Sequence, residues 1–131
     1  MKANELMIGD WVQVPSLIDN VEHYDAWCKV KQLRDCDLDV VGFKELKYSE
    51  IISISLTPEI LEKIGFESQH NVGYVLEHYD DDTIIVDLWN HTLKILMNYK
   101  VVFEKEYFDT IPLHELQHAL KLCGIEKEIE L

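Results

Sequence analysis

Apolar and polar residues alternate along most of the first 56 residues. Trp11 to Val14 form a strand-like run behind the turn-prone Gly9-Asp10, and Pro15 is expected to end that strand or hold it to a sheet edge. Ala26, Cys28 and Val30 alternate with Trp27 and Lys29; Cys36, Leu38 and Val40 alternate with Asp35, Asp37 and Asp39; Ile52, Ile54 and Leu56 alternate with Ser53 and Ser55. Successive side chains of a strand point to opposite faces, so each run predicts a strand with one wet face. Together they predict a small antiparallel sheet, curled as in SH3-like folds.

The period then changes. Thr57-Pro58-Glu59 reads as a helix start, with a capping hydroxyl, a proline at the first helical position and an acid at the positive end of the dipole. Ile60, Leu61 and Ile64 supply the apolar stripe, Gly65 the stop, and Phe66 can pack back on the last turn. Four strand-like runs follow: Tyr74 to Tyr79, Thr83 to Trp89, Thr92 to Asn98 and Val101 to Phe108. The acidic tip Asp80-Asp81-Asp82 joins the first pair, and Asn90-His91 suits a tight hairpin between the next. Pro112 starts a last helix and Gly124 ends it, leaving the tail Ile125 to Leu131 to fray or add an edge strand. Strands outnumber helices without strand–helix–strand alternation, which predicts an α+β fold built on antiparallel sheets. No flexible linker marks a boundary, so residues 1–131 are expected to form one compact unit. Its subregions are a β-rich part (1–56) and a helix–meander–helix part (57–131).

Composition narrows the classes of function. With 131 residues, 47% hydrophobic and 28% charged, the chain has the makings of one globular core and none of the signature of disorder. Twelve Lys and Arg against 25 Asp and Glu leave a net charge of −13, the wrong sign for displacing counterions from nucleic acid or for docking on anionic lipid. Cys28, Cys36 and Cys123 are odd in number and contain no C-x-x-C pair, the pattern of reduced thiols. The first six residues lack the apolar core of a signal peptide, and no apolar run approaches the ~20 residues of a membrane helix. A cytoplasmic protein without membrane contact is expected.

His114-Glu115-Leu116-Gln117-His118 is a literal H-E-x-x-H. On a helix, His114 and His118 stand one turn apart and can share a zinc ion, with Glu115 as general base for a bound water. A helical projection at about 100° per residue places Leu113, Leu116, Ala119, Leu120 and Cys123 on one face. His114, Gln117, His118 and Lys121 fall on the opposite, solvated one. Lys121 then projects beside the two histidines, where its ammonium opposes a cation. Such zinc sites need three protein ligands. The extended motif fails here, with Lys121 in place of glycine and Gly124 in place of histidine. Glu126, Glu128 and Glu130 lie in the short tail, and His78 or His91 would have to come from the meander. A polar helix face is the expected reading, with no metal, no cofactor and no catalytic residue assigned. The zinc alternative rests on His114, His118 and Glu115.

Other candidates are weaker. Asp35-x-Asp37-x-Asp39 begins like a calcium loop, but Val40 stands where glycine is needed and Leu46 where glutamate is needed. Lys29, Lys31, Arg34, Lys44 and Lys47 lie among Trp27, Phe43 and Tyr48, a mixture that can stack on single strands, yet Asp35, Asp37, Asp39 and Glu45 nearly cancel the charge. Cys28 and Cys36 are expected to serve packing.

Three stretches carry a resemblance: Met1 to Val12 (MKANELMIGDWV), Leu56 to Phe66 (LTPEILEKIGF) and Leu113 to Ile125 (LHELQHALKLCGI). Together they resemble a group of short uncharacterised proteins of anaerobic gut bacteria, their phages and mobile elements. In that group the last stretch is similar to His, a variable residue, then Leu-Gln. On that pattern His114, Leu116 and Gln117 match, while Glu115 and His118 are particular to this chain. The resemblance implies origin and brings no activity with it. The expected function is that of a non-enzymatic binding or accessory protein meeting a protein partner, another copy of itself included. The alternatives are the zinc hydrolase and an acidic mimic of DNA, the latter suggested by the charge and the phage-like origin.

Overall fold

The computed structural model describes residues 5–18, 21–77, 82–125 and 129–131, with the backbone alone for 15–18 and 21–25. The chain divides into two compact units, Met1–Ile54 and Ser55–Leu131. Each holds a five-stranded antiparallel sheet among the described residues, so the fold is α+β.

The first unit contains β1 (Trp11–Ile18), β2 (Val21–Leu33), β3 (Asp37–Val40), β4 (Phe43–Lys47) and β5 (Ile52–Ser53), ordered β4-β3-β2-β1-β5, with a 3-10 turn at Tyr48–Glu50. β2 up to Lys29 pairs with β1, and from Val30 onward it pairs with β3 through a register shift between Val30 and Gln32. A long strand that passes from one ladder to another through a bulge bends at that point. Val12, Val14, Cys28, Val30, Leu38, Val40 and Ile51 form its core with Leu6. The Asp10 carboxylate, itself buried, accepts the Met7 amide at 2.8 Å and closes the Gly9-Asp10 turn. Pro15 lies within β1 rather than at its end. β5 reaches only Val12 and Gln13, so at Pro15 that side of β1 is an edge and no ladder amide is missed. The expected stripe Ile52–Ile54–Leu56 is inward only at Ile54 and Leu56; β5 is two residues long and Ile51 takes the core position in place of Ile52.

The second unit contains α1 (Pro58–Ile64), β6 (Glu67–Gln69), β7 (Gly73–Glu77), β8 (Thr83–Asp87), β9 (Thr92–Met97), β10 (Lys100–Glu106) and α2 (Leu113–Leu122). Thr57 Oγ1 accepts the Ile60 amide at 3.3 Å. Gly65, left-handed at φ 112°, ends α1 with its amide on Glu62 and Leu61, and Ile60, Leu61, Ile64 and Phe66 are buried. The strands form a meander in the order β10-β9-β8-β7-β6. Residues opposite one another on paired strands share a face, so Val86, Leu93 and Lys105 look the same way. Lys105 Nζ lies 3.3 Å from Glu115 Oε1, an ion pair between β10 and the first turn of α2. Leu113, Leu116, Ala119 and Leu120 of α2 are buried. Among the described residues no helix is long and apolar enough to cross a membrane.

Candidate functional site

α2 starts behind Pro112 and runs to Leu122, as its sequence predicts, and brings His114 and His118 onto adjoining turns with ring centroids 5.8 Å apart in an edge-on arrangement. The expected solvated face is not what this helix presents. His114 is only 4% exposed and Gln117 9%, so six of the ten helical residues are buried. The projection sorted residues by polarity, whereas burial follows what packs against the helix. Glu115, the general base of the zinc alternative, is engaged by Lys105. Lys105 also lies over the Tyr107 ring, 4.8 Å from its centroid. Burial pushes the Tyr107 phenol above its ordinary range, and the Glu115 charge adds to this. Among the described residues no group of three His, Cys, Asp or Glu side chains is placed to hold a metal ion. His91 belongs to the β8–β9 loop, where its carbonyl accepts the Tyr107 amide. His78, Tyr79, the Asp80-Asp81 tip, Glu126 and Glu128 lie outside the described residues.

A second arrangement lies at the end of the meander. β8 and β9 are joined by Leu88–His91, longer than the two-residue hairpin that Asn90-His91 suggests. Asp87 pins this loop: its carboxylate accepts the Trp89 amide at 3.0 Å, the Asn90 amide at 3.1 Å and the Asn90 side-chain amide at 2.8 Å. Burial works to raise the Asp87 pKa, but these hydrogen bonds and the Lys94 charge outweigh it and lower the value overall. Trp89, on the pinned loop, is 90% exposed. Tyr107 donates its amide to His91, which brings the fully exposed Phe108 to the same end of the sheet. Beside Trp89 a cleft of about 480 Å³ is lined by Ser68, His70, Asn71, Asp87 and Asn90. Gly73 borders it at φ 117°, and a Cβ there would come within 2.7 Å of the Val86 carbonyl, so this close strand crossing requires glycine. The run Thr83 to Trp89 predicts a strand that ends on Trp89, whereas β8 stops at Asp87. The signal that could have found it is Asp87 three residues before Asn90, the spacing of a side chain capping its own turn.

The remaining candidates are accounted for by local structure. Asp37 and Asp39 project from β3 while Leu38 and Val40 point inward. Arg34 binds both carboxylates, with Nη2 2.6 Å from Asp39 Oδ1 and Nε on Asp37. Those aspartates are thus one wet strand face closed by a guanidinium, and Arg34 is committed within the first unit. Lys29 lies over Trp11 at 5.3 Å. Cys28, Cys36 and Cys123 are free thiols. Burial pushes Cys28 and Cys123 up, for Cys123 with the added charge of Asp82, which keeps both protonated and poorly nucleophilic. The chain matches no protein-family model, no curated protein and no solved structure.

Proposed function

We propose that this chain is a non-enzymatic binding protein that captures a protein partner through the Trp89–Phe108 end of its second sheet. The supporting observation is a fully presented tryptophan on a loop locked by three hydrogen bonds to Asp87. A large aromatic left in water costs solvation and gains nothing for the fold. Held in one place, it loses little further entropy when a partner covers it, and tryptophan is among the commonest energetic anchors of interfaces. A reducing, cytoplasmic setting fits the three free thiols.

The test compares the wild-type chain with Trp89→Ala and Phe108→Ala as baits in pull-downs from the source cells. Neither residue supports the core, so both variants keep the wild-type melting temperature. Partner capture is lost in Trp89→Ala and reduced in Phe108→Ala. Partners retained equally by all three baits would refute this surface. Stoichiometric zinc that is lost in His118→Ala would refute the non-enzymatic reading.

A further inference from the structure

We infer that the cleft beside Trp89 seats an arginine side chain of the partner. This rests on the reading of the Trp89–Phe108 end as the partner-binding surface, and it gives that partner its chemistry. Two segments wall the cleft, the β6–β7 turn and the Asp87–Asn90 loop. Antiparallel pairing of β7 with β8 brings both to one end of the sheet. The turn is held by the Val72 amide, which donates to the Gln69 carbonyl at 3.1 Å, with Asn71 left-handed at φ 62°. The loop is held by Asp87. Both walls are therefore set before a ligand arrives, which reduces the entropy lost on binding.

The charge of the occupant follows from Asp87. Among the described residues that line the cleft it is the sole carboxylate, and none is a lysine or arginine. A carboxylate offers about four lone-pair sites. Oδ1 accepts two backbone amides and Oδ2 one side-chain amide, so Oδ2 keeps a site for a donor from outside. All three donors are neutral, and among the described residues Asp87 forms no ion pair. Lys94, whose charge reaches Asp87, stands 3.8 Å from Glu104 Oε1 and is shared with it. The cleft thus carries a negative charge without a close counterion, in a chain whose net charge of −13 draws cations toward it.

The shape of the occupant follows from Trp89. Its indole is 90% exposed and borders the same cleft as that carboxylate. A cation with a flat face can stack on the ring while its N–H edge reaches Asp87. A guanidinium meets both demands. Gln69 and Asn71, which also line the cleft, carry amide oxygens that accept its further donors. A lysine ammonium supplies the charge without the flat face. A volume of about 480 Å³ admits the side chain together with adjoining backbone.

Titration of the full chain with the peptide acetyl-Gly-Arg-Gly-amide, followed by nuclear magnetic resonance, tests this. The expected result is a saturable shift of the Trp89 indole N–H and the Gly73 amide, with a millimolar dissociation constant. Citrulline in place of the peptide's arginine keeps the shape, removes the charge and weakens binding by about tenfold. Lysine in its place weakens binding by about threefold. Trp89→Ala abolishes the Gly73 shift. The citrulline peptide tests the charge without disturbing the loop that Asp87 pins. An arginine peptide that moves neither signal at about 20 mM overturns the inference. So does a citrulline peptide that binds equally well. Partner capture lost in Trp89→Ala, with no binding of the arginine peptide, refutes the cleft alone. Binding of the arginine peptide, with partners retained by Trp89→Ala, refutes the partner surface while the guanidinium site stands.

Discussion

Asp39 receives the guanidinium of Arg34 and the backbone amide of Glu45 at 2.8 Å, the latter from a residue held at φ 55°. The Arg34 hydrogen bond, then the Glu45 amide, then the charges of Arg34 and Lys44 hold the Asp39 carboxyl down to about 2, against a modest opposing effect of burial. A carboxyl whose pKa is lower folded than unfolded stabilises the fold above its unfolded pKa. That contribution is lost as pH falls through the folded value. The Asp39 contribution is therefore complete above about pH 4 and disappears between about pH 4 and pH 2. Asp39→Asn should unfold at lower urea than wild type at pH 6, and the gap between the two midpoints should close toward pH 2. A gap independent of pH would mean that shape, not charge, makes Asp39 matter. The same residue shows what a sequence can and cannot tell. Alternation announced that Asp37 and Asp39 share a wet face, but nothing in it announced that Arg34 would turn back across the β2–β3 turn to bind both.

At the scale of elements, the legible parts are those where local chemistry and burial agree. α1 is one: Thr57 caps it, Pro58 opens it and Gly65 closes it, as the residues dictate. Thr57→Ala removes the acceptor for the Ile60 amide and should cost about 1 kcal/mol, read as a lower urea midpoint of the helical circular dichroism signal. An unchanged midpoint would show that tertiary packing of Ile60, Leu61 and Ile64 alone holds this short helix. The four predicted meander strands are present for the same reason, since Ile84, Val86, Leu93 and Ile95 are both apolar by period and inward in space. β4 and β6 leave no mark in the sequence because neither has a period to read. Four of the five residues of Phe43–Lys47 and all three of Glu67–Gln69 are exposed, so these strands exist through backbone pairing with β3 and β7 rather than through an apolar face. The candidate site divides likewise. The helix that carries His114 and His118 was legible; the burial of His114 and Gln117 was not, because it depends on partners distant in sequence. The exposed Trp89 was hidden by its own apolarity, which made it read as the end of a strand.

At the scale of the molecule, the described residues form two sheets with two sets of buried side chains, and the tryptophans are divided between them. Trp11, buried, and Trp27 belong to the first unit, whereas Trp89 of the second already stands in water and changes little on unfolding. Both α-helices of the described residues belong to the second unit. Tryptophan fluorescence therefore reports the first unit, and the helical part of the far-ultraviolet circular dichroism reports the second. Two-state unfolding requires different probes to give one transition. Here the two signals should separate, with fluorescence changing at lower denaturant, because the shorter unit buries a smaller fraction of its surface. Core truncations assign each transition. Leu38, fully buried in the first unit, and Leu93, buried in the second, should each cost about 2–5 kcal/mol when replaced by alanine. Leu38→Ala should move the fluorescence transition alone, and Leu93→Ala the dichroism transition alone. If either truncation shifts both transitions equally, the two units unfold as one, and the stability of each is set by the other rather than by its own sheet.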